Sequence, residues 1–271
     1  MQLQQLTDTA AAPKWNTIRA AATQAFEDIR RGYKPRKIHR QLLTPPGANT
    51  KLAKGSVPIY GLTLAPAGAS GYQLCPWRSS ECEAACLGIT SGRSRFSNVQ
   101  QARIQKTRLL MENPVAFFHQ LHMELRQAVR KHGPGGFAFR SNVLADIAWE
   151  GIAPDIYRYT YRNYDYTKSF DRALSSLRWP QPLRLTLSFS GHNVVDCVSY
   201  LRYGGNAAFV FGPPVGRFHD PKHYELPDHH LGFPVIDGDQ SDARWLDPAG
   251  CIVGLRAKGR INLASPFVVR L

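Results

Sequence analysis

Cys75, Cys82 and Cys86 stand within the stretch YQLCPWRSSECEAACLG, and the chain's other cysteines, Cys197 and Cys251, lie far from them. The spacing Cys-x6-Cys-x3-Cys sets the last pair at i and i+4, on one side of a helix. The loop PWRSSE is long enough for Cys75 to fold back toward that pair. Three thiolates with an open fourth position suit two kinds of metal. Zinc would take them together with a histidine or a further cysteine and would be structural. A four-iron cluster would take them and leave one iron open to substrate or cofactor. Arg78, Arg93 and Arg95 stand near enough in sequence to stabilise thiolates or an anionic cluster. Three buried apolar thiols are the bland alternative.

Other chemistry-bearing residues recur where apolar runs end. Asn142, Asp146 and Glu150 follow the run that begins at Phe137, and Asp165 and Lys168 follow IYRYTYRNYD. Ser188, Ser190, His192 and Asn193 close LRLTLSFS, Asp237 and Asp239 close FPVIDGD, and Arg256 and Lys258 close CIVGLRAKG. In βα folds the C-terminal strand ends share one face, where sites assemble. On that basis Asp146, Glu150, Asp165 and Lys168 are expected to be catalytic. Asn142, Asp237, Asp239 and Lys258 are expected to bind a cofactor. Asp237, Asp239 and Asp146 could instead surround Mg²⁺. Taken singly, each also serves as an ordinary cap, turn or strand end. His119 and His122 read as ordinary positions on a helix surface. His219, His223, His229 and His230 fall in a Pro- and His-rich surface loop.

The elements that must position these residues follow from periodicity. Trp15, Ile18, Ala22, Phe26 and Ile29 recur at helical steps, and GYKPRKIHRQLLTPPGANTKLAKG then reads as an extended basic arm that orders on the body or on a ligand. Helices are expected over 97–111, capped by Ser97, and over 114–132, with Asn113 as cap and Pro114 at the first position. Apolar runs at 59–64, 137–146, 156–165, 183–190, 207–212, 233–239 and 251–259 read as about seven strands. Their alternation with helical pieces predicts an α/β fold, a complete or partial (β/α) barrel with mostly parallel strands, with an open doubly wound sheet as the rival. Residues 1–58 are expected to form the N-terminal helix and basic arm. Residues 59–271 are expected to form a single α/β domain with the three-cysteine loop after its first strand.

The net charge of +14 is uneven: residues 1–58 hold ten Lys or Arg against three acids, and residues 87–132 hold eight against two. Such blocks attract polyanions, nucleic acid or nucleotides above all. Lys34, Arg36, Lys37, Arg40, Lys51, Lys54, Arg93, Arg95 and Arg103 are the expected phosphate contacts. A solvated basic surface with no dedicated partner is the plain alternative. No apolar run is long enough to span a bilayer, so no membrane partner is expected, and the first residues lack the pattern of a secretory signal. A reducing cytoplasm is the expected compartment, where five cysteines argue for metal, redox chemistry or burial and not for a disulfide framework.

The blocks GLTLAPAGASGYQLCPWRSSECEAACL, SNVLADIAWE, YDYTK, LTLSFS, VIDGD and DPAGCIVGLRAKG, in that order, resemble the phage gene 88 protein family over about residues 50–260. Cys75, Cys82, Cys86, Asn142, Asp146, Glu150, Asp165, Lys168, Asp237, Asp239 and Lys258 stand at matching positions. Ala145, Tyr161-Arg162-Asn163 and Gly191-His192 depart from the pattern. The resemblance implies expression in the cytoplasm of a bacterial host. A second likeness is architectural: radical S-adenosylmethionine enzymes also place a three-cysteine loop after the first strand of a partial βα barrel. It implies an iron–sulfur cluster on Cys75, Cys82 and Cys86, with S-adenosylmethionine as cofactor and nucleic acid or a nucleotide as substrate. The alternatives are a nucleic-acid-binding phage protein with structural zinc, and a Mg²⁺-dependent hydrolase or nuclease.

Overall fold

The first helix, α1 (Trp15–Arg30), forms where the periodicity places it, and Ile18, Ala21, Ala22, Ala25 and Ile29 make its buried face. The computed structural model describes residues 11–47, 57–90, 92–180, 182–214, 224–259 and 261–271. After α1 the elements run β1 (Leu43–Thr44), β2 (Ile59–Leu62), α2 (Ser80–Ala84), α3 (Leu87–Thr90), α4 (Ser97–Glu112), α5 (Pro114–His132), β3 (Ala138–Arg140), α6 (Trp149–Ile152), β4 (Asn163–Thr167) and α7 (Phe170–Ser176). They continue with β5 (Leu183–Ser188), α8 (Val194–Arg202), β6 (Asn206–Phe211), β7 (His229–His230), β8 (Phe233–Asp237), β9 (Ile252–Arg256) and β10 (Val268–Val269). The fold is mixed α/β, and its strand pairs are mostly parallel.

The chain divides into two compact units. The first comprises Met1–Pro76, Phe96–Asn163 and Gln181–Leu183. Here β2 pairs with β3 in parallel and with β1 antiparallel, Leu43 opposite Leu62. The long α5 supplies Phe117, Phe118, Leu121 and Leu125 to the core, each fully buried. Asn113 caps it by accepting from the Ala116 N–H at 3.3 Å, with Pro114 in the first turn, as the sequence predicts. Gly133 stops it at φ +73°, a conformation glycine adopts without strain.

The second unit comprises Trp77–Arg95, Tyr164–Pro180 and Arg184–Leu271. Its strands run in the order β4-β5-β6-β9-β8-β7, and β10 pairs with β6 in parallel beyond the end of the β5 pairing. Its core gathers Leu187, Cys197, Tyr200, Phe209, Phe211 and Ile252. Burying a side chain such as Phe209 contributes roughly 1.5–3 kcal/mol. Cys197 is therefore plain core, and burial pushes its thiol up to about 12; Cys251, also buried, is pushed up to about 11.

Three expectations need correction. The run 156–165 is not one strand: Pro154–Tyr159 forms a 3-10 helix and the strand begins at Asn163. Consecutive Ile156 and Tyr157 are both buried, which an alternating strand does not allow. Asp165 therefore lies inside β4 and not beyond a strand end. Ser97 does not cap α4, whose N-cap position is Phe96. The two-residue strands β1, β7 and β10 carry too few residues for any periodic signal.

Candidate functional site

The basic arm is held from beneath by two side chains one turn apart on α5. The Gln120 Oε1 accepts from the N–H groups of Ile38 (3.0 Å) and His39 (2.8 Å), and its amide donates back to the His39 carbonyl at 2.7 Å. Glu124 accepts from the Leu42 N–H at 2.9 Å and the Leu43 N–H at 2.8 Å. The amide of Gln120 also donates to Glu124 at 2.8 Å, tying the pair together. From α4, Lys106 donates to the Leu42 carbonyl at 2.7 Å. Burial draws the Lys106 ammonium down to about 8, against the raising pull of Glu124 and with a lowering push from Arg103. The clasp works because Gln120 and Glu124 are buried and would otherwise face the core unpaired, while the arm's backbone groups need partners. Beyond Leu43 the arm enters β1, and the Thr44 hydroxyl meets that of Thr63 at 2.9 Å.

With its backbone turned inward, the arm turns its cations outward. Lys34, Arg36, Lys37 and Arg40 are all exposed, as are Arg30 and Arg31 at the end of α1. Residues 30–40 contain no acid. The root of the arm is fixed as well: His119 lies 2.9 Å from Asp28, and its ring packs on Tyr33 at 4.6 Å between centroids. Arg103, on α4, is half-buried. Lys51 and Lys54 lie outside the described residues, and so do the side chains of Arg93 and Arg95, although the backbone of both belongs to a short 3-10 helix.

His119 and His122 are not ordinary surface residues. Both are buried, and the His122 Nδ1 lies 2.9 Å from the Tyr159 hydroxyl. Burial first, then the charges of His119 and Arg126, holds the His122 imidazole down at about 4. Of the proposed ring of site residues, the first unit holds Asn142, Asp146, Glu150 and Cys75. Asn142 is a structural staple: its amide bonds the Ile147 backbone in both directions, and its Oδ1 also accepts from the Trp149 indole at 3.1 Å. The Asp146 N–H donates to the Leu74 carbonyl at 3.0 Å, which joins the loop before α6 to the segment leading into Cys75. The Cys75 sulfur accepts from the Ala67 N–H at 3.4 Å and lies 3.7 Å from the Leu144 carbonyl. Glu150 stands in the first turn of α6.

The second unit holds the rest. Cys82 and Cys86 are both half-buried. Cys82 lies in α2, which Ser79 caps by accepting from the Cys82 N–H at 3.1 Å. That capping hydroxyl also donates to the Ser190 carbonyl at 2.7 Å, so α2 is moored to the end of β5. Around it, the Asn193 Oδ1 accepts from the Ser190 N–H (2.8 Å) and hydroxyl (2.9 Å), and Glu81 lies 3.1 Å from His192. The Glu81 carboxyl is held down at about 2, chiefly by its own N–H and then by His192. Asp165 is fully buried in β4, with the Tyr166 N–H donating to it, and Lys168 is half-buried just beyond that strand. Asp237 and Asp239 are already neutralised: Arg256 reaches both oxygens of Asp237 at 2.9 Å, and Lys258 pairs with Asp239. Among the described residues no three His, Cys, Asp or Glu side chains are gathered as a metal site. His229 and His230 form β7, whereas His219 and His223 lie outside the described residues.

The family model of gene product 88 matches residues 36–270, which take in Arg36, Lys37 and Arg40 of the arm. The chain belongs to the gene product 88 family. The phage resemblance carried by the separate sequence blocks is thereby confirmed. No curated protein and no solved structure matches the chain. No helix among the described residues of this gene product 88 chain is long and apolar enough to cross a membrane.

Gln120 and Glu124 are the residues that sequence reasoning missed. Their only signal is that two polar groups occupy i and i+4 on a helix whose neighbours Phe117, Leu121 and Leu125 are core. Polar residues on an apolar face need partners.

Proposed function

We propose that this phage protein binds nucleic acid, and that its first unit presents a pre-held basic strip to the phosphate backbone. The observation that carries the reading is the clasp, which fixes the arm's backbone on Gln120 and Glu124 while Lys34, Arg36, Lys37 and Arg40 face solvent. A strip already ordered has less conformational entropy to lose on binding than a free basic tail. Its cations release condensed counterions from phosphates, which gives affinity without sequence preference. The host cytoplasm, where such polyanions abound, is the compartment that fits.

The test is a footprint. Lysine acetylation, read by mass spectrometry, is compared with and without a duplex DNA of random sequence. Lys34 and Lys37 are expected to be protected several-fold, with Lys14, exposed just before α1, as the internal reference. Equal acetylation of Lys34 and Lys37 in both samples overturns the reading.

A second reading keeps Cys75, Cys82 and Cys86 as ligands, either of a cluster in a radical S-adenosylmethionine enzyme built on a βα barrel or of structural zinc. It is favoured by three partly exposed cysteines within twelve positions of the sequence and by the N–H donated to Cys75. Iron, sulfide and zinc analysis of protein purified without oxygen decides it: about four irons per chain would support the cluster, and about one zinc the structural site.

A further inference from the structure

We infer that the first unit carries a nucleobase-stacking cleft built on Tyr161, an inference that rests on the nucleic-acid reading above. A cleft of about 460 Å³ is lined by Pro134, Pro154, Pro182, Tyr157, Tyr161 and Arg158. That volume falls within the usual range for small-ligand sites. Tyr161 is 62% exposed, so its ring is open to a ligand.

The ring is seated deliberately. A Cβ on Gly135 would lie 1.7 Å from the Tyr161 hydroxyl oxygen, so the phenol reaches its place only because that residue has no side chain. The Arg162 guanidinium lies 5.5 Å from the Tyr161 ring centroid, within cation–π range.

The hydrogen-bonding groups around the cleft already have partners. The Tyr157 hydroxyl bonds Ser141 at 2.8 Å, and the Thr160 hydroxyl donates to the Phe137 carbonyl at 2.7 Å while accepting from the Arg162 N–H at 3.2 Å. Arg158 pairs with Asp155 at 2.8 Å yet keeps 70% of its side chain exposed. The cleft thus offers proline faces and the exposed Tyr161 ring, with the Arg158 cation at its rim and Arg162 beside that ring. A ligand that fits is flat, aromatic and attached to an anion, which describes a base in a single strand. Stacking of this kind tolerates any base, because every base has a π-face. A proline-rich peptide would use similar faces but would bring no anion for the arginines.

The test measures anisotropy of a labelled oligothymidylate of about a dozen nucleotides, a length within the span of single-strand binding sites. A duplex of the same length is the comparison. Tyr161→Ala is expected to weaken single-strand binding about tenfold and duplex binding less than about twofold, since one stacked base is lost and the phosphate contacts stay. Tyr161→Phe should bind like the parent, and Gly135→Ala, which displaces the phenol, should behave like Tyr161→Ala. Circular dichroism confirms that each variant is folded. If Tyr161→Ala binds the oligothymidylate as tightly as the parent while the parent still binds DNA, the cleft is wrong and the nucleic-acid reading stands. A parent that binds neither DNA overturns both. Tyr161-dependent binding of a decaproline peptide with no effect of Tyr161→Ala on the oligothymidylate assigns the cleft to peptide instead.

Discussion

Lys34, Arg36, Lys37 and Arg40 in the first unit stand exposed on a backbone held from beneath, whereas Arg256 and Lys258 in the second turn onto Asp237 and Asp239. Both sets looked functional in the sequence, the second more so because it closes strands. The structure separates them. A largely buried cation such as Arg256, whose charge is cancelled by a fixed carboxylate, holds two strand ends together, and it has little left for a ligand. A cation on a held backbone, in a stretch (residues 30–40) whose sequence contains no acid, keeps its field. The same contrast applies to carboxylates: Glu124 holds the arm in place from within, while Asp237 and Asp239 lock β8 to β9.

Removing Glu124 is the strongest way to break the contrast. Glu124→Ala leaves the Leu42 and Leu43 N–H groups without their acceptor and Lys106 without its nearby carboxylate. The expected loss is about 3–5 kcal/mol of stability, read from urea unfolding, because a buried charge is left uncompensated. DNA affinity should also fall, although the substitution makes the protein more positive. If charge alone governed binding, affinity would rise, so the sign of the change decides between a basic surface and a presented strip.

Acid titration sharpens the comparison next. His122 in the first unit has its folded pKa depressed to about 4, so its contribution is complete above the unfolded value of about 6.5 and is lost as pH falls toward 4. The size is about 3.5 kcal/mol, from a pKa difference of about 2.5 units at about 1.4 kcal/mol each. Asp247 in the second unit has the opposite sign. Burial first, and then Asp242, raises its carboxyl to about 6 against the pull of Arg244 and Arg184, so its contribution is present below the unfolded value and is lost as pH rises through 6. His122→Phe should flatten the acid limb of the stability profile, and Asp247→Asn should flatten the fall between pH 4 and 6. Denaturant midpoints across pH check both.

A smaller effect is expected at the second unit's ion pairs. Arg256→Met should cost about 1–3 kcal/mol, since Asp237 loses a partner in a largely buried setting. DNA affinity should change less than about twofold, because the Arg256 charge is already taken up by Asp237. A large loss of affinity would mean that the paired cations also touch the ligand.

The sequence carried the frame better than the site. The helical step of Ile18, Ala22 and Ile29 and the Asn113-Pro114 start of α5 are local signals, and both appear as predicted. The parallel α/β pattern was legible because Leu183–Ser188, Asn206–Phe211 and Ile252–Arg256 are short apolar runs with turn residues at their ends. Residues 156–165 misled because tyrosines at 157, 159 and 161 imitate a strand's alternation, while Pro154 starts a 3-10 turn. The clasp was not legible, since Glu124 stands 82 positions from Leu42 and no local pattern links them. Asn142 was picked for polarity at a strand end, and it is a buried staple for the Ile147 backbone. Polarity at such a position shows that a group needs a partner, and only the fold shows whether the partner is internal.

The most direct measurement is the salt dependence of duplex DNA binding for the parent and for a variant with Lys34, Arg36, Lys37 and Arg40 all replaced by Ala. Plotting the logarithm of the association constant against that of the salt concentration counts the phosphates neutralised, at a slope of about −0.9 per contact. A presented strip predicts that the variant's slope is shallower by about 3 to 4, with affinity lower by two or more orders of magnitude at low salt. Parallel lines for the two proteins would contradict the account, because the arm's cations would then contact no phosphate.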